Sequence, residues 1–296
     1  MLNRDDVERY RRDGFIVVPS VLSSSEVDGL RQATDQLVER SRGASTHGEI
    51  FDLEPGHSAE APRVRRIKKP DNWHPAYAAC VRHPGIIACL QALWGPDIRY
   101  DHSKLNMKSA GFGSPVEWHQ DWAFYPHTND NLAAVGVMID DIDTDNGPML
   151  VIPGSHAGPI YDHHAGGRFC GAMDPTRDGI DFSKAVPCIG TAGSITIHHV
   201  RAVHGSAPNV SARPRRFFLM QYRSADAWPL IQKPKSWDDW TGLLVAGREC
   251  LEPRMTPCPV RLPLPIAAHQ GSIYENQREL KNRFFDGNEK DRAAAM

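Results

Sequence analysis

The sequence has no apolar run approaching the length of a bilayer span, no C-x-x-C pair and no surplus of basic charge. Each absence removes a class of function. A membrane-spanning helix needs about 20 consecutive apolar residues, so no membrane partner or span is expected. Cys80, Cys89, Cys170, Cys188, Cys250 and Cys258 are scattered rather than paired. That pattern argues against a zinc knuckle or a compact disulfide framework, and the six read as reduced thiols. The charged, amphipathic start from Met1 to Asp6 is unlike a secretory leader, and a cytoplasmic location is expected. A formal net charge of -2 gives no reason to expect a nucleic-acid or anionic-membrane partner, because such surfaces reward a pronounced basic excess. A small-molecule substrate is the expectation that remains. No repeat or composition shift divides the 296 residues, so a single domain over 1–296 is expected, with ample chain to bury a core. Nothing in the sequence fixes an oligomeric state.

What is present begins with helical spacing. Residues Arg4 to Asp13 read as a helix, Gly14 to Pro19 as a short strand, and Ser23 to Arg40 as a second helix. In that second helix Ser23 caps the start, Glu26 lies just inside, and Val27, Leu30, Ala33 and Leu37 recur at helical intervals. Periodicity dissolves between Gly43 and Pro70 into Gly, Pro, His and charge, which predicts a loop or lid. One further helix is expected over Pro75 to Trp94. Beyond Gly95-Pro96 come short β-like runs, Ile98 to Met107, Leu132 to Ile139, Met149 to Ile152, Ser194 to His198 and Arg216 to Tyr222, separated by Gly, Pro, Asn and Asp. Many short strands at such spacing predict a mainly β core, a sandwich or barrel, with flanking α-helices. The tail from Asn276 onward is polar and is expected to fray.

The stretch Trp118-His119-Gln120-Asp121-Trp122 and the later Val203-His204-Gly205-Ser206 carry the chemistry. On a β-strand, residues two apart share a face, so His119 and Asp121 are placed to converge on one metal ion, with His204 completing the set. Two imidazoles and one carboxylate on one face of an octahedron suit iron(II) and leave three positions for a bidentate co-substrate and O2. An H-x-D pair alone is a weak signal; here it sits among Trp118, Trp122 and Phe124, and the third ligand follows a strand-like run. His198 and His199 are rivals for the third position, but neither is followed by Gly-Ser. His156 reads as a turn residue, and His127, His163 and His164 as loop residues near the mouth of the site.

Taken together, Tyr10-Arg11-Arg12-Asp13-Gly14-Phe15-Ile16-Val17, Trp118-His119-Gln120-Asp121, Asp145 to His156, His204 to Asn209 and Arg213-Pro214-Arg215-Arg216 resemble the phytanoyl-CoA dioxygenase family, including its ectoine-hydroxylase-like branch. The resemblance covers most of the chain. It implies a double-stranded β-helix, or jelly-roll, core and oxidation of a substrate by O2 as 2-oxoglutarate becomes succinate and CO2. It also implies that Arg215 holds the distal carboxylate of 2-oxoglutarate, for which a planar guanidinium fork is suited. Strand alternation would send Arg216 the other way. By the same resemblance Ser206 and Lys108 touch the co-substrate, while Met149 stands where some relatives carry Thr. Related halogenases replace the carboxylate of the triad with a small residue, and Asp121 therefore argues against halogenation.

The substrate is less legible. The run from Arg63 to Lys69, Arg66 within it, has the charge to meet an anionic substrate, although such runs are more often solvated faces. Trp122, Phe124 and Tyr125 are candidates for an apolar pocket wall, or ordinary core aromatics. Two alternatives stay open: a cupin-like metalloenzyme that does without 2-oxoglutarate, which would not need Arg215, and a non-enzymatic metabolite-binding relative, which would normally show an eroded triad.

Overall fold

The computed structural model describes residues 2–111, 113–177, 179–231, 234–267 and 273–285. Helices α1 (Arg4–Asp13) and α2 (Ser24–Arg40) each begin with a complete capping box, from Asn3 with Asp6 and from Ser23 with Glu26. The helix expected over Pro75 to Trp94 is two, α3 (Pro75–Val81) and α4 (Pro84–Trp94). Pro84 lacks an N–H and disfavours helical geometry in the residue before it, so the chain breaks at His83. The His74 and His83 side chains then cap the two new N-termini by accepting from the Ala76 and Gly85 amides. Two short helices follow, α5 (Trp237–Gly242) and α6 (Ile273–Asn276).

The strands among the described residues are β1 (Phe15–Val18), β2 (Phe51–Leu53), β3 (Val64–Lys68), β4 (Ile98–Lys108), β5 (Val116–His119), β6 (Leu132–Met138), β7 (Met149–Val151), β8 (His164–Ala165), β9 (Arg168–Phe169), β10 (Val186–Cys188), β11 (Ile195–His199), β12 (His204–Ser206), β13 (Arg215–Ser224) and β14 (Leu244–Ala246). The larger sheet runs β1-β11-β6-β13-β4-β3-β2, with β14 paired to β4, and the smaller runs β10-β7-β12-β5. Their pairings are antiparallel. This is the jelly-roll core that the strand spacing and the resemblance implied.

The larger sheet is covered on both faces, which is why β6 reads as a continuous apolar run rather than an alternating one. Its Ala133, Val135 and Val137 join Phe218, Met220 and Tyr222 of β13 beneath α2, α3 and α4. The alternate residues Ala134 and Met138 face the smaller sheet with Phe217, Leu219, Met149 and Val151. A side chain at Gly136 would collide with the Phe217 ring and Thr196, so the bare backbone is what lets that ring seat between the sheets.

Two expectations are corrected. The segment 43–70 is not one loop: β2 and β3 extend the larger sheet beyond β4, and the irregular parts are residues 44–50 before β2 and the stretch between the two strands. The aperiodic composition hid these strands because Asp52, Arg65 and Arg66 are charged yet buried, with Arg66 paired to Asp52 and Arg65 to Glu275. Nor is the tail frayed as far as residue 285. Gln277 accepts from the Glu117 amide and donates to the Pro115 carbonyl, and Phe285 stacks on Trp118 with ring centroids 5.8 Å apart. Residues 286–296, the rest of that expectation, lie outside the described residues. No helix among the described residues is long and apolar enough to cross a membrane.

Candidate metal centre and co-substrate pocket

His119 is the last residue of β5 and lies directly opposite His204 of β12 in the antiparallel register, which brings the two rings to 4.1 Å between centroids. Asp121 is not on a strand, as the two-residue spacing suggested, but opens a 3-10 turn over Asp121–Ala123. Gln120 between them keeps extended backbone, φ -120° and ψ 127°, so alternation holds for the one step that matters. One donor atom from each of His119, Asp121 and His204 lies within 4.8 Å of the others, and all three residues are buried.

Hydrogen bonding sets the donors before any metal arrives. His119 Nδ1 is 2.8 Å from the Glu117 carbonyl and His204 Nδ1 is 3.0 Å from the Ala202 carbonyl. A carbonyl only accepts, so each Nδ1 carries the proton and each Nε2 presents a lone pair to the centre. Burial lowers both imidazole pKa values, that of His119 to about 4, which keeps them neutral and able to ligate. Asp121 is held well below its usual range: burial opposes its charge, but His198, His204 and Lys104 around it prevail. The Gln221 amide donates to Asp121 Oδ2 at 3.0 Å, leaving Oδ1 to face His119 Nε2 at 3.9 Å. This donor set fits a six-coordinate, oxygen- and nitrogen-loving divalent metal with open positions.

Supporting residues that sequence reasoning missed surround the triad. His163, expected at the mouth, is buried, and its Nε2 accepts from the Gln120 amide at 2.8 Å, bracing the residue between His119 and Asp121. The Gln120 side chain is itself tied to the Pro159, Arg201 and Tyr161 backbone. His198, considered as a rival ligand, lies outside the triad with Nε2 3.5 Å from Asp121 Oδ2. His163 left no local signal, because its contact spans 43 residues. Gln221 and Lys104 did leave one: they share strand parity with Arg215 and Lys108.

An inner cavity of about 50 Å³ is lined by the triad together with His198, Ser206, Arg215, Gln221 and Tyr274. An outer cavity of about 560 Å³ is lined by Lys68, Lys69, His102, Phe124, Tyr125, Phe169 and the segment around Pro263 and Ile266. Arg66, Lys104, His119, Asp121 and Ile273 border both, so two of the triad lie where the cavities meet while His204 lines the inner one.

Arg215 is 3% exposed and makes no ion pair among the described residues; its guanidinium lies 5.5 Å from the Phe217 ring, and burial lowers its pKa to about 10. Arg216 points to the opposite face and pairs with Asp140 at 2.6 Å. Ser206 lines the inner cavity, whereas Lys108, expected to touch the co-substrate, lies behind it. Lys108 Nζ donates to Ser206 Oγ at 2.8 Å, to the Ser206 carbonyl at 3.4 Å and to the Ala207 carbonyl. Phe124 does wall the outer cavity. Trp122 does not border either cavity: it is 1% exposed in a core cluster, with its indole N–H donated to the Pro259 carbonyl at 2.8 Å.

Comparison with known proteins agrees with this geometry. The profile of the phytanoyl-CoA dioxygenase family matches residues 10–217. The chain belongs to that family. It is 35% identical over 280 residues, 93% of this chain and 97% of the relative, to a Stutzerimonas stutzeri protein named "Probable alpha-ketoglutarate-dependent hypophosphite dioxygenase". It is 30% identical to the L-proline trans-4-hydroxylase of Streptomyces griseoviridis, over 75% of this chain and 86% of that one. Among solved structures, EvdO2 from Micromonospora carbonacea var. aurantiaca complexed with 2-oxoglutarate superposes with a TM-score of 0.59 at 27% identity, over 80% of this chain and 97% of that one. EctD from S. alaskensis with bound Fe shares the fold, with a TM-score of 0.64 at 22% identity, over 76% and 77% of the two chains. This member of the phytanoyl-CoA dioxygenase family is a 2-oxoglutarate-dependent dioxygenase, with iron, 2-oxoglutarate and O2 as its reagents. That closes the alternatives of a cupin-like enzyme without 2-oxoglutarate and of a non-enzymatic binding relative.

Proposed function

We propose that the chain, acting as a single domain, hydroxylates a small anionic metabolite, with His119, Asp121 and His204 holding one iron(II) and with Arg215 and Ser206 gripping the distal carboxylate of 2-oxoglutarate. The observation that carries this reading is Arg215, a buried guanidinium on the wall of the cavity that holds the triad, with no acidic partner among the described residues. An uncompensated buried charge costs several kcal/mol, and a carboxylate delivered by the co-substrate removes that cost while gaining a bidentate pair. Ser206 Oγ already accepts from Lys108, so its own O–H is left to donate toward the same carboxylate.

Bound iron would supply the one-electron chemistry with O2 that no side chain here provides. In the balanced reaction one oxygen atom enters the X–H bond of the substrate and the other enters succinate. 2-Oxoglutarate loses CO2 and provides two electrons. The chain's own residues prepare this. Gln221 fixes Asp121 so that one carboxylate oxygen faces the metal position, and Phe124, Tyr125 and Phe169 on the outer wall limit water around the bound substrate. The substrates named for two relatives, hypophosphite and L-proline, are both small and both carry an anionic group. The Arg66, Lys68 and Lys104 side chains on the outer cavity support the same class here. The test is succinate formation with iron(II), ascorbate and 2-oxoglutarate against a panel of small anions. Stimulation only by neutral or cationic compounds would refute the substrate class, and full turnover by His204→Ala the metal assignment.

A further inference from the structure

We propose that Lys104 is the anchor for the primary substrate, a small oxyanion that bears the bond to be oxidised, so that this site has two separate anion subsites: Arg215 for the co-substrate and Lys104 for the substrate. This rests on the dioxygenase reading above and names the residue that selects the substrate. Strand β4 puts Lys104, Asn106 and Lys108 on one face, opposite Leu219, Phe217 and Arg215 of β13. Four residues of strand separate the two lysines by about 13 Å, which sets one at each end of the chamber.

Their surroundings differ in kind. Lys108 has three acceptors for its three donors. Lys104 borders both cavities and touches the space beside Asp121, yet makes no hydrogen bond or ion pair among the described residues. Lys104 is half-buried, its ammonium on the cavity wall, so it is desolvated in part without a partner to offset that cost. Asp121 does not serve as that partner once a metal takes its charge. Nearby Arg66 adds positive potential, held in place by Asp52, to which its Nε donates at 2.6 Å. The wall there is therefore cationic and fixed, and it faces a space of about 560 Å³ open to small molecules.

An ammonium is a compact point charge rather than a planar fork, so it accepts tetrahedral and planar oxyanions alike. Phosphorus oxyanions and carboxylates are the two sources of that chemistry. Placed on Lys104, the rest of a small anion lies beside the triad, where the X–H bond must be.

The test uses the full chain loaded with iron(II) and 2-oxoglutarate without O2, as wild type, Lys104→Met and Lys104→Arg. Sodium hypophosphite, methylphosphonate and L-proline are titrated in separate arms, read by calorimetry and by perturbation of the visible charge-transfer band. The expected result is that at least one arm binds to wild type, that Lys104→Met weakens it about thirty-fold or more, the loss of a hydrogen bond to a charged group, and that Lys104→Arg recovers part of it. 2-Oxoglutarate affinity should not change, which also shows that the variant is folded. The arm that binds identifies the source. Binding of no anion by wild type, equal binding by Lys104→Met, or a loss of 2-oxoglutarate affinity in Lys104→Met would each overturn the proposal. Absence of the charge-transfer band in the wild-type protein would instead sink the dioxygenase reading on which it rests.

Discussion

The two ends of the reaction chamber are built on different principles. At the inner end Arg215, Ser206 and Lys108 form a closed set: Lys108 is saturated by Ser206 and Ala207, and its pKa is driven well below the ordinary value by burial and by Arg215 beside it. At the outer end Arg66 and Lys68 share Asp52, while Lys104 and the aromatic rings face open space. In the function proposed above the inner end meets one invariant molecule, so its side chains can be locked in advance. The outer end meets the molecule that distinguishes this enzyme from its relatives, and there the unpartnered lysine is the informative residue. The positioning lysine, Lys108, is fully buried and the ligand-facing one, Lys104, only partly so. The count of acceptors separates them as well.

The largest effect should come where the two ends meet. His204→Ala removes a metal donor and is expected to lower iron binding and turnover by at least about a hundred-fold, measured by metal content after dialysis and by succinate release. Next comes the inner end: Arg215→Leu should weaken 2-oxoglutarate by about 2–5 kcal/mol, the cost of truncating one partner of a buried charge pair. Arg216→Leu loses a partly exposed pair with Asp140 and should show mainly as a small fall in Tm. The opposite order of these two variants would mean that the β13 register is misjudged. Lys108→Met leaves the guanidinium in place but frees the Ser206 hydroxyl to rotate, and a rise of about ten-fold in KM for 2-oxoglutarate is expected with substrate KM unchanged. Equal changes in both constants would erase the distinction between the ends.

The smallest effect concerns the cover that was expected over 43–70. Strand β3 from this segment borders both cavities, but the irregular stretch between β2 and β3 lies against a separate groove with Glu54, His57 and Glu275. If that stretch closes with substrate, its amide exchange should slow in the presence of metal, 2-oxoglutarate and a bound anion together, and less with the first two alone. Unchanged exchange would leave β3 as a fixed wall and no lid.

Much of this was legible because it is local. The capping box at Ser23, the alternation that separates Arg215 from Arg216, and the triad spacing each depend on a few neighbouring residues. What stayed hidden depends on distant partners. Asp52 and Arg66 disguised a pair of strands as a polar loop, since their charges cancel only once β2 and β3 are side by side. Pro84 marks the helix break, while the apolar pattern runs across it from Pro75 to Trp94. For Trp122 the sequence leaves pocket wall and core aromatic both open, and the 3-10 turn at Asp121 decides for the core.

The inner chamber is finished by a late arrival. Ile273 and Tyr274 of α6 border it, and α6 is docked by Arg65 of β3, which pairs with Glu275 and lies 4.5 Å over the Tyr274 ring. During synthesis on the ribosome every metal donor therefore emerges, and the two sheets can assemble, before this wall exists. Iron loaded at that stage would occupy a site still open on one side to solvent and reductant. Displacing α6 would therefore open the inner chamber on the side that Ile273 and Tyr274 close, whereas insertions at the tip between β2 and β3 would not.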